Sequence, residues 1–313
     1  MRAKIMEVRA PASIANLGPG FDVFGLALRE PYDILKAVVV QGTGARVIKV
    51  EGVGAQRITL DPKRNTAAVA ASEVLRMAKA DFGLEITVRK GVRPCSGMGS
   101  SGASAAGAAF AANLMVDVPL SQNNLVLCAA KGEEVSSGGL HADNVAPSLL
   151  GGFTLIRSYD PLDVIRVTPP KDLGIVAALP DIIVPTKEAR GVLPKSIDLR
   201  QMVFQVGHAS ALATGMSLGD LALIGRSVRD MVIEPARRRL VPHLEKAERA
   251  ALDAGALAAF LGGSGPCVAA FFDRRETNGD DISKAIGSVY EAEGIRVDSW
   301  VTSWGDGCRR EKA

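Results

Sequence analysis

The chain has 313 residues, 47% of them hydrophobic, and its 37 basic and 34 acidic side chains leave a formal net charge of +3. That length can bury a substantial core and suggests two domains of moderate size, while the near-balanced charge argues against nucleic acid or an anionic membrane as partner. Apolar runs such as 164–167 and 182–184 are far too short to span a bilayer, and Met1-Arg2-Ala3-Lys4 leads into a strand instead of a signal-peptide core, so a cytoplasmic protein is expected.

Residues 4–12 set Ile5, Met6 and Val8 against Glu7 and Arg9 and read as a strand running into a turn at Pro11. Asn16-Leu17-Gly18-Pro19-Gly20 is turn chemistry. It can present Asn16 and Asp22 to a ligand, or let them bond only their own turn. Residues 32–41 and 46–53 alternate as a pair of strands, 61–65 form a turn, and the alanine-rich run 66–82 has helical spacing. Asn65 is its cap and Gly83 its left-handed stop. Residues 84–90 alternate again as a strand. Next comes Val92-Arg93-Pro94-Cys95-Ser96-Gly97-Met98-Gly99-Ser100-Ser101-Gly102-Ala103, followed by an alanine-rich helix to Asn113. Gly97 and Gly99 allow positive φ and close approach of a polyanion to backbone N–H groups. Ser100 and Ser101 fall at a helix N-terminus, where unpaired N–H groups and the macrodipole favour negative charge. Strand, glycine turn and helix in this order read as a phosphate-binding loop, with a plain helix cap as the bland alternative. It is neither a Walker loop nor a dinucleotide fingerprint. Cys95, Cys128, Cys267 and Cys308 lack metal-ligand spacing and read as free thiols; Cys95 is taken as a passive small residue.

Pro119 and Ser121 open a helix over 122–136 that carries Glu133 and Glu134, residue types that on helices are usually just solvated. Residues 153–157, 165–167 and 174–179 read as strands interrupted by Pro161 and Pro169-Pro170, and the domain change is placed near Tyr159, giving domains 1–158 and 159–313. Helices are expected over 199–214, over 218–224 after a Ser217 cap, and over 225–232. Arg237-Arg238-Arg239 has the look of a solvated face. Residues 260–272 form strand, glycine turn and strand around Gly262-Gly263-Ser264-Gly265. A helix over 282–293, a strand over 295–302 and a basic tail over 305–313 complete the chain.

The loop resembles the second motif of the GHMP kinases, Pro-x-x-x-Gly-Leu-Gly-Ser-Ser-Ala, with Arg93 at the usual proline, Pro94 one place late and Gly102 at the usual alanine. Residues 10–28 resemble the first motif in the form found in homoserine kinases, and 260–272 the third. His141-Ala142-Asp143-Asn144-Val145-Ala146-Pro147, Thr186-Lys187-Glu188-Ala189-Arg190 and Glu234-Pro235-Ala236-Arg237 are similar to runs specific to that family. The resemblance covers essentially the full length.

It implies an α+β fold, a two-domain GHMP kinase fold with an amino-terminal GHMP domain and a carboxy-terminal ferredoxin-like α/β sandwich, and transfer of the ATP γ-phosphoryl group to L-homoserine in threonine biosynthesis. By the same resemblance ATP is met by Asn65, Lys90, Arg93, Pro94, Cys95, Ser96, Gly97, Met98, Gly99, Ser100, Ser101, Gly102 and Ala103. Magnesium is held by Ser101 and by Glu133, which stands eight residues before His141 as in the family. Arg190 and Arg237 take the substrate carboxylate, by forks suited to bidentate contact. Asp22 takes the ammonium group, and Asn16, His141 and Asn144 orient the substrate. Mevalonate kinases carry an aspartate where this chain has Asn144, and an amide takes no proton. Homodimerisation is implied by the family alone. Another small-molecule GHMP kinase, or an ATP-binding protein without turnover, stays open as an alternative.

Overall fold

The computed structural model describes residues 4–311; Met1, Arg2 and Ala3, and the last two residues of the basic tail, lie outside them. In chain order the first half contains β1 (Ile5–Asn16), β2 (Gly20–Val40), β3 (Gly44–Gly52), α1 (Thr66–Met77), β4 (Gly83–Lys90), α2 (Ser100–Asn113), α3 (Gln122–Ser137), α4 (Val145–Leu150), β5 (Phe153–Tyr159) and β6 (Leu162–Val167). The second half contains β7 (Leu173–Pro180), α5 (Thr186–Gly191), α6 (Leu199–Leu218), α7 (Leu221–Ser227), α8 (Ile233–Arg237), α9 (Leu244–Asp253), β8 (Ala258–Leu261), β9 (Val268–Asp273), α10 (Gly279–Glu291), β10 (Val297–Ser303) and β11 (Arg309–Arg310).

Alternation along β1 turns Met6, Val8 and Ala10 into the core beneath the small-residue helices α1, α2 and α3. β2 is long enough to serve two neighbours, pairing β5 through Phe24–Leu26 and β4 through Ile34–Val40. The first sheet runs β11-β1-β2-β4-β3, with β5 and β6 added from β2. The second is antiparallel in the order β10-β7-β9-β8. With helices after its first strand and before its last, it has the split βαβ arrangement of a ferredoxin-like unit. Along β7, Ile175 and Ala177 join the large core shared with the first half, whereas Val176 and Ala178 join a second core under α9 and α10.

Several expected boundaries move. β6 pairs with β5 in the first sheet, so the change of sheet follows Val167 and not Tyr159. β11 returns to pair with β1, placing part of the basic tail in the first sheet. Helix α1 ends at Met77, with Lys79 rather than Gly83 at positive φ, and Gly83 opens β4. Helix α6 continues to Leu218 and is stopped by Gly219 at φ 75°, so Ser217 lies inside it and Asp220 caps α7 by accepting from the Leu223 N–H. Residues 228–232 are not helical. Helices α4, α5, α8 and α9 were not expected at all.

Candidate active site

Three turns meet between the sheets. The β1–β2 turn (residues 17–19), the loop before α2 and the glycine turn between β8 and β9 touch through backbone: Gly263 N–H donates to the Ala15 carbonyl (3.2 Å), and Cys267 N–H to the Ser96 carbonyl (3.2 Å). Gly97 and Gly263, at φ +76° and +55°, lie so close that a Cβ on Gly97 would overlap the Gly262 carbonyl and one on Gly263 would sit 2.8 Å from the Gly97 carbonyl. Only residues without Cβ fit there. A cavity of about 340 Å³ opens beside this junction.

At one end the cavity is walled by Pro94, Cys95, Ser96, Gly97, Gly99, Ser100 and Ser101. Gly99 caps α2 at φ 63° with no side-chain hydrogen bond to the helix, so the first N–H groups of a fourteen-residue helix face the cavity end without a side-chain cap. Ser101 Oγ donates to Glu133 Oε1 at 2.8 Å. Burial pushes the Glu133 carboxyl up to about 7, the Ser101 bond opposing the shift, Asp143 adding to it and Lys90 opposing it.

At the other end Arg190 makes a two-bond fork to Asp22, Nη1 to Oδ2 at 3.2 Å and Nη2 to Oδ1 at 3.1 Å. Arg237 is buried and fixed by the carbonyls of Ala189 (3.1 Å) and Gly263 (2.9 Å). Both guanidinium carbons lie 5.4 Å from the Phe21 ring centroid, within cation–π range. Burial and then the neighbouring Arg190 charge lower the Arg237 guanidinium to about 10. His141 Nδ1 is 3.7 Å from Asp22 Oδ2. Burial outweighs that carboxylate and lowers the imidazole below its ordinary value, so the ring is neutral near pH 7.

Between the two ends sits Asp143, buried and pushed up to about 7 by burial and then by Asp22, with Arg190 opposing. Asn144 accepts from Ser13 Oγ at 3.0 Å. Asn16 donates to the Gly263 carbonyl (3.0 Å) and accepts from the Asp22 N–H (3.3 Å), tying the first turn to the third.

The structure therefore brings Asn16, Asp22, His141, Asn144, Arg190, Arg237, Ser101 and Glu133 around one cavity. Asn65 borders it too, but its side chain caps α1 through Ala67 and Ala68 and donates to Thr59. Lys90 also borders it, yet its ammonium group is held by Asp33, the Ser100 carbonyl and Ser104, so its three donors brace α2 from below and none is left for adenosine. Arg93 pairs instead with Asp181 of the second half and is not part of the wall. Met98 is core, and Gly102 and Ala103 are buried behind the first turn of α2, Gly102 packing close to Asn144. Asp143 carried no separable signal beside Asn144, because which of two neighbours faces a cavity depends on how α4 begins. Tyr159, read only as a boundary, donates to the Asp22 carbonyl (2.8 Å) and accepts from the Ala142 N–H (3.3 Å), joining two parts of the site. Arg57, Thr59 and Arg64 add wall residues near Asn65 that no motif marked.

The family model described as GHMP kinases N terminal domain matches residues 65–152, and that described as GHMP kinases C terminal matches 209–292. A homoserine kinase of Halobacterium salinarum is 42% identical over 306 residues, covering 98% of this chain and 96% of that protein. One of Pyrococcus abyssi is 38% identical over 303 residues, covering 97% and 98%. Among solved structures, the homoserine kinase from Cytophaga hutchinsonii superposes with a TM-score of 0.92 at 36% identity, covering 99% of this chain and 98% of that one. L. major mevalonate kinase in complex with R-mevalonate gives 0.68 at 17% identity over 94% of each chain, a likeness of fold alone.

Proposed function

Because this chain belongs to the homoserine kinases, within the GHMP kinase superfamily, we propose that it transfers the γ-phosphoryl group of ATP to the side-chain hydroxyl of L-homoserine. The product, O-phospho-L-homoserine, feeds threonine formation, and a cytoplasmic location belongs to the same reading. One observation carries it at the level of the site: a cavity with an open helix N-terminus at one end and, at the other, Arg190 forked to Asp22 with Arg237 beside the same Phe21 ring. The first end suits a polyphosphate and the second an amino-acid zwitterion.

Among the described residues no cluster of three or more His, Cys, Asp or Glu can hold a metal by itself. A site completed by phosphate oxygens needs fewer protein ligands, and the Ser101 hydroxyl against the Glu133 carboxyl is the oxygen pair that a hard cation takes. These two residues would hold magnesium, which when bound supplies charge neutralisation for the triphosphate. The chain's own groups position the rest. The α2 N-terminus receives the phosphates, Arg190 and Arg237 receive the carboxylate, Asp22 the ammonium group, and Asn16, His141 and Asn144 shape the substrate wall.

Phosphoryl transfer through a loose transition state depends mainly on positioning and electrostatics, so the hydroxyl proton can leave to a phosphate oxygen or to water. Asp143 supports a second path for that proton, since it is a buried carboxyl between the two ends whose proton affinity lies near neutrality. A coupled assay with ATP, magnesium and separate acceptors (homoserine, mevalonate, galactose) tests the function. Turnover of homoserine is expected, and its absence, with turnover of another acceptor or none, overturns the reading.

Self-association is part of the proposal. Helix α6 exposes Leu199, Met202, Val203, Val206 and Leu218 and has Arg200 as its one residue of the Lys, Arg, Asp and Glu types. A second copy meets that face without like-charge repulsion. Light scattering should give twice the chain mass, reduced to the chain mass in Val203→Glu; a monomeric wild type removes this part.

A further inference from the structure

We propose that the Asp22–Arg190 pair is a specificity lock, closed in the absence of substrate, which a ligand bearing both a carboxylate and an ammonium group opens far more readily than one bearing a carboxylate alone. This rests on the amino-acid reading above and adds to it a role for the contact between the two protein groups themselves.

Asp22 is held firmly. Its backbone sits at φ 57°, its N–H donates to Asn16 Oδ1, and its carbonyl accepts from Tyr159. Both its carboxylate oxygens engage Arg190, at 3.1 and 3.2 Å. That fork occupies the two terminal nitrogens of the guanidinium and leaves the buried Nε without a partner. The resting site thus carries a satisfied charge pair beside an unsatisfied donor, with the fixed guanidinium of Arg237 on the same aromatic ring.

Consider a hydroxy acid that has no amine. To reach Arg190 its carboxylate must displace that of Asp22, which would then face the neighbouring carboxyl of Asp143 and the imidazole of His141, whose proton affinity burial has lowered. Asp22 is half-buried, and parting its charge from its partner beside a second acid is unfavourable by up to about 1 kcal/mol, roughly fivefold in binding. An amino acid makes the exchange balanced, because its carboxylate takes the arginines while its ammonium group takes Asp22. One pair breaks and two form. Asp22 therefore acts twice, as a contact for the right ligand and as a competitor against the wrong one, the repulsive element that specificity generally requires.

The two roles separate in one variant. Asp22→Asn keeps a residue type that tolerates positive φ but removes the charge. Binding of homoserine and of 4-hydroxybutyrate, which differs by lacking the amine, is measured by calorimetry on wild type and variant. Homoserine should weaken by about thirtyfold or more, as when one partner of a buried pair is removed. The amine-free acid should bind tighter to the variant than to wild type by roughly fivefold, the upper value for a partly exposed ion pair that no longer has to be broken. No gain for 4-hydroxybutyrate, or a loss, overturns the lock and leaves Asp22 as a simple contact. If the asparagine variant misfolds, Asp22→Gly, which accepts the same backbone angle, carries the same comparison. Failure of the underlying reading would appear separately, as absence of homoserine binding and turnover in the wild type.

Discussion

Burial beside Ser101 raises the Glu133 carboxyl from 4.5 to about 7, so between those values the folded chain holds a proton that the unfolded chain has released. Stability therefore falls as pH rises through that window and is flat above it. Glu133→Gln lacks this term. It should melt higher than wild type at about pH 8 by an amount bounded by roughly 3 kcal/mol, match wild type at about pH 4, and lose magnesium-dependent turnover. A fully active variant removes Glu133 from the cation site, and an equal stability difference at both pH values removes the buried proton. Asp143 gives a second residue-scale test. With the proton leaving to phosphate or water, Asp143→Asn should lower kcat by about tenfold or less; a fall of ~10²–10⁴ with loss of the acidic limb of the pH profile is what removal of a general base produces. The runs that resemble the family, and the eight-residue spacing from Glu133 to His141, pointed to Glu133, His141, Arg190 and Arg237, and all four line the cavity. The partners of Lys90 and Arg93 were not legible, because a sequence shows which residues border a loop and not which acids the packing brings to them. Lys90 had a buried acid waiting at Asp33, 57 positions earlier, and nothing local announces such a partner.

At the scale of elements, the order strand, glycine turn and helix over β4 and α2 was readable because Gly97 and Gly99 take positive φ, which glycine adopts freely. Gly97 is needed twice, for its φ of +76° and for its contact with the β8–β9 turn. Gly97→Ala should destabilise the fold by more than about 1 kcal/mol, from backbone strain alone, and should raise the ATP KM more than the homoserine KM. Denaturant melts and steady-state kinetics on one preparation test both; unchanged ATP kinetics in a destabilised variant would make the contact purely architectural. Helix ends were less legible. Helix α6 runs through Ser217 because Gly219 and Asp220 follow directly and give a left-handed stop and the next cap. Helix α9 could have been expected, since Leu244, Ala247 and Ala251 repeat at helical spacing and bury one face. Short α4 and α5 have too few turns for any period to register, yet they carry or adjoin Asn144 and Arg190, so the least predictable elements hold part of the site.

For the whole molecule, the two domains each carry a sheet and the second has its own core under α9 and α10, yet one hydrophobic cluster crosses between them, containing Leu26 and Phe153 of the first with Ile175 and Phe271 of the second. Shared cores unfold together. Fluorescence of Trp300, in β10, and Trp304, bridged to Leu28, should report the same denaturant midpoint as far-ultraviolet circular dichroism. Two separated transitions would show that the halves are independent after all. The resemblance that named the fold could not reveal this coupling, because motifs mark turns and ligands while the cluster is built from ordinary apolar residues far apart in sequence.

The return of β11 to β1 has a consequence for how the chain is made. Arg9 and Glu311 form an ion pair across 302 positions, and on the side of β1 away from β2, Val8 and Arg9 pair with Arg310 and Arg309. Synthesis runs from the amino end, so the outer side of β1 has no neighbour until residues 309 and 310 have been made. An open strand edge invites pairing with another nascent chain. Lys4, Glu7 and Arg9 stand along that waiting edge, and charges of this kind are what keep unpaired strands from recruiting strangers. The start of β1 thus carries charges that disfavour pairing with another chain, while its far end, at Ala15 and Asn16, lines the cavity.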